Sequence, residues 1–168
     1  MAENDAAAGG IAIELVTAPT DEARELIGHL DRALAADYLP EQQHGLAFEA
    51  IFRPHVRFFL ARLDGDAVGC GGVALFATFA EVKRMFVRAG VRGRGVARAL
   101  LARLEAEALA NGHAWMRLET GTRQPAAIRL YERAGYRRCA AFGDYAMMGP
   151  DAIATSLFYE KRLRAGAH

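Results

Sequence analysis

Two rhythms alternate along the chain, a period of two in short runs and a period near 3.6 in longer ones. Ile11 to Val16 reads as a strand. After Thr20 or Asp21, either of which can cap a helix, Leu26, Ile27, Leu30, Ala33 and Leu34 fall on one helical face. Pro40 stops that pattern and predicts a second helix over Glu41 to Ile51, closed by Pro54. Arg57 to Leu63 and Ala67 to Phe79 read as strands joined through Asp64-Gly65, a turn in which glycine supplies positive φ. Gly69, Gly71 and Gly72 predict a bulge or a close backbone approach. Glu81 to Val87 reads as another strand. Ala97, Leu100, Leu101, Leu104 and Ala108 define the clearest helix, which Asn111-Gly112 ends. Ala114 to Glu119 is a short strand, Pro125 opens a helix running to Gly135, Tyr136 to Cys139 is extended, and Ala154 to Leu163 is a final strand. Hairpins in the middle and strand–helix alternation later predict an α/β fold on a mixed sheet.

The length of 168 residues suits one domain. Residues 1–10, rich in Ala, Gly and acids without periodicity, are expected to be a frayed, disordered N-terminus, with 11–165 a single domain. Apolar residues make up 52% and charged residues 24%, enough to build a core. Lys plus Arg is 21 against 20 for Asp plus Glu, a net +1 that argues against a surface devoted to nucleic acid. No apolar run is long enough for a membrane span, and acids stand where a signal peptide carries bases. Cys70 and Cys139 form no framework, and neither they nor the five histidines show metal-ligand spacing, so no metal is expected. A cytoplasmic setting is the expectation.

The densest chemical signal is Arg92-Gly93-Arg94-Gly95-Val96-Ala97, placed between a strand and a helix. The glycines let the main chain turn tightly and approach a ligand, and the helix start offers unpaired N–H groups to a pyrophosphate. Solvated arginines on a plain glycine turn are the simpler alternative. It is not a Walker A loop, since no Gly-Lys-Ser/Thr occurs, and Arg98 stands where the dinucleotide fingerprint needs Gly or Ala.

These residues resemble the Arg/Gln-x-x-Gly-x-Gly/Ala motif of the GCN5-related N-acetyltransferases (GNAT). Val82 to Val87 looks like that family's fourth strand, and Leu130-Tyr131-Glu132-Arg133-Ala134-Gly135-Tyr136 is similar to its Leu-Tyr-Glu-x-x-Gly-Phe segment. The resemblance is sharp over about residues 80–138. It implies a mixed, mostly antiparallel central sheet splayed into a V and flanked by helices, with acetyl-CoA as cosubstrate in the opening. It implies also that Arg92, Gly93, Arg94, Gly95, Val96 and Ala97 surround the pyrophosphate. Met85, Phe86 and Val87 would lend their main chain to the pantetheine arm as an added strand. Gln124 and Ala127 would border that arm, although the family commonly has Asn where Gln124 stands.

Amide formation needs a neutral amine, whereas an alkylamine with a pKa of about 10.4 is mostly protonated at neutral pH. A base must take the proton, directly or through water, and the departing thiolate gains from an acid. No protein nucleophile is required, because the thioester is already activated. Tyr131 occupies the family's tyrosine position, which implies the acid; a buried structural tyrosine is its alternative. Glu81 and Glu119 stand where relatives place carboxylates, and the sequence leaves open which of them is the base. Pairing with Lys83, Arg84 or Arg117 is the simpler role for either. Cys139 reads as a structural thiol. The loop 142–150, with Phe142-Gly143-Asp144-Tyr145, is either a lid over the acceptor or an irregular connection.

The expected activity is transfer of acetyl to a primary amine of a small molecule by direct attack in a ternary complex. Acetylation of a protein lysine or N-terminus, and a non-catalytic acyl-CoA-binding module, are the alternatives. Neither nucleic acid nor membrane is an expected partner, and exposed sheet edges leave room for a homodimer.

Overall fold

A computed structural model describes residues 6–7 and 10–165. In chain order the elements are β1 (Ala6–Ala7), β2 (Ile11–Val16), α1 (Asp21–Asp37), β3 (Val56–Leu63), β4 (Asp66–Leu75), β5 (Ala80–Val87), α2 (Val96–Ala110), β6 (Trp115–Gly121), α3 (Pro125–Arg133), β7 (Arg137–Arg138) and β8 (Ser156–Arg162). The strands form one sheet in the order β1-β2-β3-β4-β5-β6-β8-β7. Every neighbour is antiparallel except β5 and β6.

That parallel pair positions the site. It holds only through Ala80 opposite Met116 and Glu81 opposite Arg117. Beyond Glu81 the two strands part, leaving the rest of β5 bonded on its β4 side alone. The result is the expected V. The expected fourth and fifth strands of the family are β5 and β6 here, because β1 precedes them.

Alternation along β3 explains the two layers. Phe58 and Leu60 face α1, joining Leu26 and Ile27, whereas Phe59 and Ala61 face α2, joining Leu100, Leu101 and Leu104. Thr20 caps α1 by accepting the Ala23 N–H at 3.1 Å. Asp64 at φ 51° and Gly65 at φ 89° make the expected turn between β3 and β4. The glycines of β4 mark a register shift between Cys70 and Gly72.

One expectation is corrected. The helix over Glu41–Ile51 is instead two short 3-10 turns, Pro40–Gln42 and Phe48–Phe52, with an irregular stretch between them. There the backbone at Gly45 runs against the Arg84 guanidinium. Glycine in mid-stretch weakens a helix by about 1 kcal/mol relative to alanine. Of the expected disordered N-terminus, only residues 6, 7 and 10 are described. Gly10, at φ 77°, turns the chain, and Ala6–Ala7 pairs with Ile11–Ala12. The expectation for residues 1–5, 8 and 9 lies outside the described residues.

Candidate active site

The turn at the start of α2 is built for an anion. Gly93 and Gly95 sit at φ 80° and 86°, a region that side-chain-bearing residues avoid. No side chain caps the helix. The first bond into it is Ala99 N–H to Gly95 C=O at 3.0 Å, and no main-chain carbonyl among the described residues takes the N–H groups of Gly93 through Arg98. Residues 92–95 are exposed, and a Cβ at Gly93 or Gly95 would meet nothing within 4 Å. The stretch thus presents open donors at a positive helix end. Arg94 is exposed beside it. Arg92 turns back to donate from Nε to Val87 C=O at 3.2 Å, and Arg88 leaves the turn to bond Ala67 C=O and Glu25.

The V holds, where its strands part, a cavity of about 120 Å³, room for several waters or a small acceptor. Met85, Glu81, Glu119, Gln124, Ala127 and Tyr131 all line it, so the structure brings together six residues that the sequence pointed to separately. Phe86 and Val87 continue the strand away from it. Val87 is buried, and Phe86 stacks on His29 with ring centroids 6.3 Å apart.

The two carboxylates have different surroundings. Glu81 is 3% exposed, and its Oε2 accepts from Tyr145 Oη at 2.7 Å and pairs with Lys83 Nζ at 2.8 Å. Lys83 also donates to Tyr145 Oη at 2.9 Å, closing a triangle. Glu119 is half-buried and has only a long bond, from Ser156 Oγ at 3.4 Å. Burial pushes its carboxyl up to about 7, and the charge of Glu81 adds to this, while Lys83 and the Ser156 bond pull the other way. Tyr131 is 5% exposed, and its hydroxyl has no hydrogen-bond partner among the described residues. Burial, then the Glu119 charge, holds this phenol well above its usual value, so it stays protonated.

Sequence reasoning missed Tyr38 and His44 as walls of this cavity, and had singled out the loop 142–150. Tyr38, just past α1, accepts the Arg123 N–H at 2.8 Å from the loop before α3. His44 Nε2 lies 2.7 Å from Ala152 C=O and packs edge-on against Tyr145. The loop 142–150 contains a 3-10 turn, Gly143–Met147, that puts Tyr145 into the wall, where it is 7% exposed. Cys139 is half-buried, its Sγ not among the cavity walls, and burial pushes the thiol up. Lys83 and Arg84 had one legible sign. Two adjacent charges interrupt the alternation of β5, as they do where a bulge throws successive side chains off their faces.

A sheet parted beside a helix-start anion site, with a half-open cavity at the parting, is the arrangement that the resemblance implied. The sequence profile of the Acetyltransferase (GNAT) family matches residues 23–136, and the chain belongs to that family. It is an acyltransferase, which sets the non-catalytic alternative aside. It is 42% identical to an IAA acetyltransferase of Azospirillum brasilense over 85% of this chain and 92% of that one. A solved acyl-CoA N-acyltransferase from Klebsiella pneumoniae superposes with a TM-score of 0.74 at 35% identity, covering 92% of this chain and 98% of that one. A GNAT family acetyltransferase from Elizabethkingia anophelis with acetyl-CoA bound shares the fold, with a TM-score of 0.66 at 18% identity over 92% and 99% of the two chains. Among the described residues no helix is long and apolar enough to cross a membrane.

Proposed function

We propose that the protein transfers acetyl from acetyl-CoA to the primary amine of a small molecule, with Glu119 as base and Tyr131 as acid. The observation that carries this reading is the pairing of one cavity carboxylate held near neutrality with one phenol held neutral. The N–H groups of Gly93 to Arg98 suit the coenzyme's pyrophosphate, and the free side of Met85 to Val87 suits its pantetheine arm. The Elizabethkingia structure supports that choice of cosubstrate.

A base is most useful when its pKa lies near the working pH. Glu119 meets that condition and has an oxygen free for an ammonium proton or a relaying water. Glu81 is already occupied by Lys83 and Tyr145, and serves to hold the wall. As the amide bond forms and the thioester C–S bond breaks, Glu119 takes the amine proton and Tyr131 gives a proton to the departing sulfur. The contacts from Tyr38 to Arg123 and from His44 to Ala152 bridge the two halves of the chain over the cavity. Such bridging contacts favour a small acceptor over a peptide threaded along the groove. The Azospirillum relative is named for IAA rather than for a protein substrate.

The test is thiol release from acetyl-CoA across a panel of small amines and lysine peptides. Acceleration by a small amine is expected. Release driven only by peptides would favour the protein-acetylating alternative, and none with any amine would reject the assignment. Tyr131→Phe is expected to lower turnover roughly a hundred- to ten-thousandfold, the range for losing acid–base help, while CoA affinity by calorimetry stays within about twofold. An unchanged rate would remove Tyr131 from the acid role.

A further inference from the structure

Arg84 is an expensive residue for β5 to carry. It has φ 57°, a left-handed conformation that costs free energy in any residue with a Cβ. It falls where the register of β4 and β5 slips, between the pairs Cys70–Phe86 and Gly72–Lys83. The side chain is 6% exposed and borders the acceptor cavity. Nη2 pairs with Asp31 of α1, a carboxylate that is itself 57% exposed at the rim. Nε is buried with no acceptor among the described residues. Opposite, the main chain of Gly45 packs against the guanidinium.

A strained backbone and an unpaired buried donor meet in one cation beside the cavity. Buried donors are rarely left unpaired, because the loss of hydration is not repaid. Lys83, the other cation of the cavity, is held by the buried Glu81 and by Tyr145, whereas Arg84 is held only through Nη2 by an exposed carboxylate, Asp31, and keeps a spare donor in Nε. Arg84 is therefore the group in the cavity best placed to receive an anion from an incoming molecule. Guanidinium and carboxylate are matched in charge and in planar geometry.

We infer that the acceptor is an amine that carries a carboxylate, an amino-acid-like molecule, and that Arg84 holds that carboxylate while the amine faces Glu119. The inference rests on the proposed acetyl transfer and narrows its substrate class. The opposite charges also orient the acceptor: its anionic end goes to Arg84, and its cationic amine goes toward the carboxylate of Glu119. Arg84 is here a specificity determinant, outside the proton transfers.

The experiment compares L-aspartate, L-glutamate and L-alanine with their fully amidated forms as acceptors, by kcat/KM for thiol release. The wild type should prefer the free acids. Arg84→Gln should shrink that preference roughly ten- to a hundredfold, the scale of losing a charged hydrogen bond, mainly through KM for the acids. Arg84→Lys should retain part of it. Asp31→Asn, which removes the competing rim anion, should lower KM for the acids about two- to fivefold and leave the amides where they are; this variant decides the matter if Arg84→Gln does not fold. Calorimetry of L-aspartate and L-glutamate with the CoA-loaded protein reads the same preference without turnover. A wild type that favours the amides, or a preference for acids that survives Arg84→Gln intact, overturns the inference while the acetyltransferase reading stands. Failure of every amine, with the acids still binding through Arg84, sinks the transfer reading and leaves the carboxylate site.

Discussion

Glu119→Gln is expected to lower kcat/KM by roughly a hundred- to ten-thousandfold, the range spanned by general-base help. Gln keeps the size and the hydrogen-bonding capacity toward Ser156 but takes no proton. In the wild type, kcat/KM should rise with pH through about 7, where Glu119 ionises, and the variant should lose that limb. The same residue makes a stability prediction of opposite sense. The folded chain holds the Glu119 proton more tightly than the unfolded chain, with a pKa near 7 against an ordinary 4.5. Between those values the folded state binds more protons, so this group subtracts stability as pH rises through the window and nothing further above it. Removing it should leave the variant about 2–3 kcal/mol more stable than the wild type at pH 8 and equal to it at pH 4. Denaturant titrations at the two pH values check this. A variant that is slow yet no more stable at pH 8 would mean that Glu119 is not the strained acid described.

Gly95→Trp is expected to abolish measurable CoA binding. A Cβ at Gly95 meets nothing in the protein, so the indole would stand in the open space over the helix start, where the pyrophosphate is to lie. The positive φ of 86° adds a backbone cost of about 1–2 kcal/mol. Gly95→Ala carries the same backbone cost with little bulk. It should weaken CoA only modestly, and the difference between the variants isolates the steric term. Calorimetry with CoA, supported by melting curves to confirm folding, provides the measurement. Retained affinity in Gly95→Trp would move the coenzyme away from this turn.

What could be read from the sequence was what is local. Thr20, Asp64-Gly65, Asn111-Gly112 and Gly135 mark ends and turns by their own conformational preferences, and the structure uses them there. The glycine turn before α2 was legible for the same reason, as was the face of Leu100, Leu101 and Leu104. The acceptor end was not legible, because its residues meet across long separations. Tyr38 reaches Arg123, His44 reaches Ala152, and Tyr145 reaches Glu81. None of these partners is implied by spacing. Pro40 and Pro54 framed the helix expected over Glu41–Ile51, and the chain instead breaks into two 3-10 turns around Gly45, a residue that weakens a helix interior. Sequence left Glu81 and Glu119 equivalent; the environment of each carboxylate, which only folding creates, separates them.

The seam between β5 and β6 consists of two residue pairs. Whatever keeps the two wings of the molecule from rocking must therefore come largely from the side chains that bridge them, and Tyr38, His44 and Tyr145 do so while also forming the pocket wall. Part of the joint's stiffness is thus invested in residues that also set selectivity, beside contacts such as Phe79 on Phe142 that lie outside the pocket. An attempt to enlarge the pocket by trimming Tyr38, His44 or Tyr145 would slacken the joint, so new acceptor ranges are better sought at the rim, on α1, than at those braces.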